Sequence, residues 1–194
     1  MRLCFLARKC TTLSIKFTTF CTTQRRKQNP ARGGALRRVA AIALGSNLAS
    51  EWGDREATLR EAVRRVGQLG EVLGVSPFHD TAPVGYTEQP RFLNGAMLLA
   101  TELEPVELMR ALLGIERAMG RDRSVVAAKG PRTVDLDLLL MDDVVLVTDE
   151  LTVPHPAMAE RRFVLEPLAE IAPGMVDPRS GRTVREMLAT LSAG

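Results

Sequence analysis

Late in the chain stands Gly130-Pro131-Arg132-Thr133-Val134-Asp135-Leu136-Asp137-Leu138-Leu139-Leu140. Asp135 and Asp137 are two positions apart in an apolar run, and side chains of a strand alternate between its faces. The two carboxylates therefore share one face, with backbone anchors about 6–7 Å apart. Val134, Leu136 and Leu138 point the other way, into a core. Like charges held that close raise one another's proton affinity unless a cation neutralises them. Hard oxygen ligands on a stiff element suit Mg²⁺, which takes one or two carboxylates and completes its shell with substrate phosphates. Arg132, after a rigid Gly-Pro turn, can reach a phosphate as a bidentate donor. An ordinary half-buried strand shows the same alternation. The cationic turn before the pair, and four further segments, carry the reading beyond that.

The first segment is Gly45-Ser46-Asn47, after an apolar run. The second is Thr81-Ala82-Pro83-Val84-Gly85, leading to Gln89-Pro90-Arg91-Phe92-Leu93-Asn94. The third is Glu116, followed by Arg121 and Arg123; the fourth is Val153-Pro154-His155-Pro156, followed by Arg161, Arg162 and Phe163. Asn47 and Asn94 each offer an amide donor pair and an acceptor, which suits the edge of a heterocycle. Asn47 is equally at home as a turn residue. Phe92 and Phe163 are either core residues or planar surfaces for stacking. Arg121, Arg123, Lys129, Arg132, His155 and Arg161 supply positive charge for a polyphosphate. The chain has no glycine-rich loop ending in Lys-Ser or Lys-Thr, so a nucleotide here must be held by a cation and arginines. His79 reads as a structural or surface residue.

These residues need a scaffold. Val39–Leu44 reads as a buried strand. Asp54 caps a helix in which Leu59, Ala62, Val63, Val66 and Leu69 recur at helical spacing, ended by Gly70. Val72–Phe78 is a second strand, Thr81–Arg91 a loop and Phe92–Thr101 a third strand. Pro105 opens a second helix at a favoured position, with Leu108, Leu112, Ile115 and Met119 on one face and Gly120 at its end. Arg121–Gly130 is a polar loop, Thr133–Met141 the fourth strand and Val144–Val147 a possible extra one. Phe163–Ile171 and Thr183–Leu191 read as added C-terminal helices. The order β-α-β-β-α-β predicts an α+β, ferredoxin-like fold. It is a four-stranded antiparallel sheet with two helices on one face. Such a scaffold hosts many functions, so function must be argued from the site.

Composition narrows the classes. A length of 194 residues predicts one domain with an appendage and no fused partner domain. No apolar run is long enough for a membrane span. Ten of the 26 Lys and Arg lie in residues 1–38, which hold no acid; the body, 39–194, keeps 16 against 23 acids, a net −7. Such a body excludes the broad basic footprint of a nucleic-acid binder. Cys4, Cys10 and Cys21 also lie in the first 38 residues, so the body has no disulfide, thiol nucleophile or zinc site. Residues 1–38 read either as an organelle transit peptide or as an upstream extension from a misassigned start, and in both cases as disordered. A cytoplasmic location is expected, or a mitochondrial or plastid one if they are a transit peptide. A monomer is expected.

The chain resembles the 6-hydroxymethyl-7,8-dihydropterin pyrophosphokinase (2-amino-4-hydroxy-6-hydroxymethyldihydropteridine diphosphokinase) family of folate biosynthesis. The resemblance runs from about Val39 to Leu191. It rests on the 130–139 stretch, on Gly45-Ser46-Asn47-Leu48, on Gln89 to Asn94 and on Leu151-Thr152-Val153-Pro154-His155-Pro156. It implies a ferredoxin-like fold and transfer of diphosphate from ATP to the pterin hydroxymethyl group, giving AMP. It implies that Asp135 and Asp137 bind two Mg²⁺. Asn47, Thr81, Pro83, Val84, Phe92, Asn94 and Phe163 would then line a pterin pocket. Glu116, Arg121, Arg132, His155 and Arg161 would serve ATP, with Arg123 and Arg132 among the catalytic groups. Segments 81–91 and 121–130 would act as lids. Two positions depart from the family pattern: Ala128-Lys129 stands where a basic residue and Trp are common, and Pro156 where an aromatic is.

Two other classes use part of this pattern. A nucleotidyl transferase or cyclase shares the carboxylate pair but gives no reason for Asn47, Phe92, Asn94 and Phe163 to converge. An RNA-binding sheet needs exposed aromatics and a basic surface, which this body lacks.

Overall fold

The computed structural model describes residues 36–85, 87–121 and 130–192. The apolar run near the start becomes β1 (Arg38–Ser46), the central strand. It lies antiparallel between β4 (Phe92–Thr101) and β5 (Asp135–Met141). On the far side of β4 run β2 (Glu71–Val75) and β3 (His79–Thr81), also antiparallel. The sheet order is β2-β4-β1-β5, with β3 paired to β4. This is the order a split β-α-β ferredoxin-like unit produces.

Local signals set the helix ends. In α1 (Arg55–Val66) the Asp54 carboxylate accepts from the Ala57 N–H at 2.8 Å, satisfying a donor that the first turn cannot. A single tight turn, Gly67–Leu69, then carries the chain to Gly70. α2 (Pro105–Ala118) starts with proline in its first turn and a reciprocal cap: Glu104 accepts from the third helical N–H and Glu107 accepts from the Glu104 N–H. Gly120, at φ +82°, turns the chain out of α2.

The sheet separates two apolar layers. On one face Leu59, Ala62 and Val66 of α1 and Leu108 and Leu112 of α2 pack against Ile42, Leu44, Met97, Leu99, Leu136 and Leu138. On the other, Val164, Leu165 and Leu168 of α3 (Arg162–Ile171) and Val184 and Met187 of α4 (Val184–Ser192) cover Ala41, Ala96, Leu139 and Leu140. Each fully buried leucine contributes about 1.5–3 kcal/mol of transfer free energy. The helices are thereby pinned to the sheet.

Several elements differ from the sequence expectation. The second strand is broken at Ser76-Pro77-Phe78, because proline has no N–H for the ladder. Ser76 bridges the break: its N–H donates to Ala96 O, and its hydroxyl accepts from the Ala96 N–H, both at 2.9 Å. The Phe78 ring fills the space over Gly95, 2.6 Å from where a Cβ would sit. β5 starts at Asp135, and a register shift opposite Ala41 and Ile42 leaves Leu139 unpaired between Leu138 and Leu140. Alternation therefore lapses there, and Leu139 joins Leu140 under α3. The extra strand is β6 (Leu146–Val147), which pairs with β7 (Thr152–Val153) in a ribbon apart from the main sheet.

β1 begins at Arg38, whose guanidinium pairs with Glu104 at 2.8 Å; Arg37 pairs with Glu71. The last two cations of the basic N-terminal stretch thus belong to the fold. Arg123, Lys129 and the three cysteines lie outside the described residues. Among the described residues no helix is long and apolar enough to cross a membrane.

Candidate functional site

Strand register assembles the site. Gly45 of β1 is paired with Asn94 on one side and Asp135 on the other. Two positions earlier on the same face, Ala43 is paired with Ala96 and Asp137. Residues opposite one another in neighbouring strands project to the same face. One row therefore reads Asn94–Gly45–Asp135, and the next Ala96–Ala43–Asp137. A Cβ at Gly45 would lie 3.2 Å from Asn94 Oδ1 and 3.5 Å from Asp135 Cβ. The middle of the floor is bare strand. An amide stands on one side and two carboxylates on the other, with backbones about 10 Å apart.

Cations crowd the acidic side. Arg121 donates to Asp135 Oδ1, to Glu116 Oε1 and, at 3.3 Å, to Val134 O. Arg132 stands 3.3 Å from the other oxygen of Asp135. Glu116, only 1% exposed on α2, also accepts from the Leu136 N–H at 2.8 Å. It thus fixes both Arg121 and the start of β5. Asp137 is half-buried; burial first, and then the charge of Asp135, raise its carboxyl above the usual range, against the pull of His155, Arg161 and Arg121. Burial lowers the pKa of the His155 imidazole, with Arg161 adding to the effect and Asp137 opposing it. The backbone N–H of His155 donates to Leu139 O at 2.8 Å, laying this segment along β5, and its Nδ1 accepts from the Ala157 N–H. Arg161 immediately precedes α3.

The described residues hold no cluster of three or more His, Cys, Asp or Glu able to enclose a metal ion. Two hard carboxylates on one strand face suit a cation whose remaining ligands come from phosphate and water. Asp137, raised by burial and by a like charge, is a carboxylate whose ionised form such a cation would favour. The donor set fits Mg²⁺.

Across the floor, Asn94 donates to Thr81 Oγ1 at 2.7 Å, and Thr81 is the β3 partner of Phe92. The Arg132 guanidinium lies 5.1 Å from the centre of the Phe92 ring. Arg132 therefore touches both halves, Phe92 and Asp135, and its Nε is buried without a hydrogen-bond partner among the described residues. Phe163 is half-buried in the first turn of α3; Pro83 is half-buried and Val84 is 70% exposed. Asn47 is 2% exposed, and its amide is engaged by Gln89, Pro90 and Arg132. His79, beside Asn94 in the ladder, lies 2.9 Å from Glu170 of α3. That contact sets the edge strand against the helix.

The sequence reading missed Gly45 and Ala43 as the floor, and Gln89 as a partner of Asn47. Glycine inside a strand marks close approach by other groups, a signal that was present at Gly45.

Similarity to known proteins shows the family. The profile of the family described as 7,8-dihydro-6-hydroxymethylpterin-pyrophosphokinase matches residues 41–173, more than half of the chain. The chain belongs to this pyrophosphokinase family. Every described site residue, from Ala43 to Phe163, lies within the matched span. Among curated relatives, the 2-amino-4-hydroxy-6-hydroxymethyldihydropteridine pyrophosphokinase of Bacillus subtilis is 48% identical over 138 residues, covering 70% of this chain and 79% of that one. The folic acid synthesis protein fol1 of Schizosaccharomyces pombe is 37% identical over 153 residues; the match takes in 78% of this chain but 20% of the yeast protein. Among solved structures, the wild-type HPPK-DHPS of Plasmodium falciparum with STZ-DHP superposes with a TM-score of 0.61 at 14% identity. That match covers 82% of this chain and 42% of the other, and speaks for the pyrophosphokinase fold alone.

Proposed function

We propose that this member of the pyrophosphokinase family transfers the β,γ-diphosphoryl group of ATP to the hydroxymethyl group of 6-hydroxymethyl-7,8-dihydropterin, in folate synthesis. The hydroxyl oxygen bonds to the β-phosphorus, the bond from that phosphorus to the α,β-bridging oxygen breaks, AMP leaves and the hydroxyl proton is released. The observation that carries the reading is the row Asn94–Gly45–Asp135. It sets a heterocycle-reading amide across a bare floor from a carboxylate pair. The name of the Bacillus subtilis relative, a hydroxymethyldihydropteridine pyrophosphokinase, supports the same pterin acceptor and the transfer of a diphosphate.

In this reading Asn94 reads the edge of the pterin, and Thr81 orients its amide through their hydrogen bond. Phe92 and Phe163 supply flat walls, with Pro83 and Val84 on the segment that borders them. Asp135 and Asp137 would hold Mg²⁺, as a pair of ions. When bound, the cation neutralises phosphate charge and raises the acidity of the attacking hydroxyl. Arg121 and Arg132 present guanidinium groups to the triphosphate; Glu116 aims Arg121. His155 and Arg161 line the same side, and Arg123, outside the described residues, is assigned to the phosphates by the family resemblance alone. In phosphoryl transfer the protein mainly positions reactants and stabilises charge. Buried Glu116, fixed by the Leu136 N–H and aiming Arg121, and Asp135, flanked by Arg121 and Arg132, suit that task.

The test is product identity. Full-length protein with ATP, Mg²⁺ and hydroxymethyldihydropterin should yield AMP and the pterin diphosphate in equal amounts, with no turnover on omission of Mg²⁺. Formation of ADP or free pyrophosphate in place of AMP would overturn the assignment.

A further inference from the structure

Asn47 does more in this structure than occupy a turn. Its Nδ2 donates to Gln89 Oε1 and to Pro90 O, both at 3.1 Å. Its Oδ1 accepts from the Arg132 N–H at 2.7 Å, and its own backbone N–H donates to Arg132 O at 3.1 Å. Both amide hydrogens and the amide oxygen are therefore engaged by protein, at a residue 2% exposed. Deep burial keeps these bonds in a low dielectric, where each is stronger and its loss costlier.

The two segments gripped are the ones that face the two substrates. Gln89 and Pro90 lie near the end of the segment that begins at Thr81, with only Arg91 between them and Phe92. Arg132 carries the guanidinium that touches Phe92 and Asp135. A displacement of either segment is thus transmitted through one side chain to the other. We propose that Asn47 is a positioning residue, not a pterin contact, and that it couples occupancy of the heterocycle pocket to occupancy of the triphosphate side. The proposal rests on the function argued above. A side chain with no amide hydrogen to spare serves a ligand poorly as a donor, but it serves two loops well as a clamp. Such coupling between sites is a free energy, typically a 5–150-fold change in affinity, and is reciprocal.

Calorimetry of the full chain tests this with a non-hydrolysable ATP analogue plus Mg²⁺ and with hydroxymethyldihydropterin, each titrated alone and in the presence of the other. Reciprocity lets either titration report the coupling factor. Asn47→Ala removes the clamp. Asn47→Asp keeps the acceptor for the Arg132 N–H but sets a carboxylate against the Pro90 carbonyl, so it cuts only one arm. Gln89→Ala weakens the same arm from the other end. In all three the coupling factor should fall at least about fivefold, while nucleotide affinity measured alone changes by less than a factor of about two. Equal loss of pterin affinity with and without nucleotide would mean direct contact and overturn the proposal. A lowered melting temperature with an unchanged coupling factor would mean mere scaffolding and also overturn it. The wild type separates the two levels: if it makes no AMP, the function fails; if it does and the variants keep full coupling, only the role of Asn47 fails.

Discussion

Asn94 and Asp135 stand in one row of the sheet, on either side of Gly45, with no side chain between them. The amide proposed to read the heterocycle and the carboxylate proposed to hold a cation are thereby carried by rigid strands at a fixed spacing, independently of any loop. The glycine is required for room, since its neighbours occupy the space a larger residue would take.

Gly45→Val should therefore fold but work poorly. Its methyls would fill the floor and push Asn94 and Asp135 apart. A misplacement of about 1 Å costs on the order of 10²-fold in rate, so kcat/KM for AMP formation should drop by about that factor. Gly45→Ala, whose Cβ meets Asn94 Oδ1 at 3.2 Å, should fall less. Steady-state kinetics beside a circular dichroism spectrum checks both; an unimpaired Gly45→Val enzyme would refute the placement.

Asp137→Ala should nearly abolish AMP formation. If Asp137 holds the cation as proposed, its loss removes several kcal/mol of charge stabilisation, a rate factor of about 10³ or more. The fold should survive, because the side chain is half-buried at the edge of the apolar layer. The measurement is AMP release at saturating ATP and Mg²⁺. Turnover like that of the wild type would remove Asp137 from the site.

Asp137 also makes a pH-dependent prediction. Burial, then Asp135, raise its carboxyl above the ordinary 3.8, so the folded chain holds this proton more tightly than the unfolded chain does. The resulting stabilisation is complete below the unfolded value and is lost as pH rises through the folded one. Without divalent cations, the melting temperature of Asp137→Asn minus that of wild type should increase from about pH 4 to about pH 7. Added Mg²⁺ should shrink the difference at neutral pH by stabilising the wild type. A difference that is flat or falling with pH would contradict the environment assigned to this carboxyl.

Two arginine substitutions should separate buried from surface pairing. Arg121 is 13% exposed and bridges Glu116, at 1%, to Asp135. Truncating one partner of such a pair destabilises by about 3–5 kcal/mol, so Arg121→Ala should lower the urea midpoint sharply. Arg110, at 64%, pairs with Glu150 at 44%; Arg110→Ala should leave the midpoint unchanged. Equal midpoints for the two variants would count against the Glu116–Arg121–Asp135 bridge.

Gly70→Ala is the complementary test, aimed at stability rather than turnover. A Cβ there would run into the backbone carbonyl of Ala100, which cannot rotate aside. Overpacking of this kind costs about 1–3 kcal/mol. Melting temperature should fall while kcat per folded molecule holds.

The sequence alone determined what acts over a few residues. Strand alternation put Asp135 and Asp137 on one face and Leu136 and Leu138 on the other. Asp54, Pro105 and Gly120 marked helix ends, because capping depends on neighbours in the chain. The element order followed from these periods, and the fold from the order. Only the tertiary structure decided that Asn94 and Asp135 flank Gly45, that Asn47 grips Arg132 and Pro90, that Ser76-Pro77-Phe78 breaks an edge strand and that Leu139 bulges. Strand register and side-chain clamps are set by contacts between distant segments. Their energies depend on which groups meet after packing, and nothing in the spacing of one chain records that meeting.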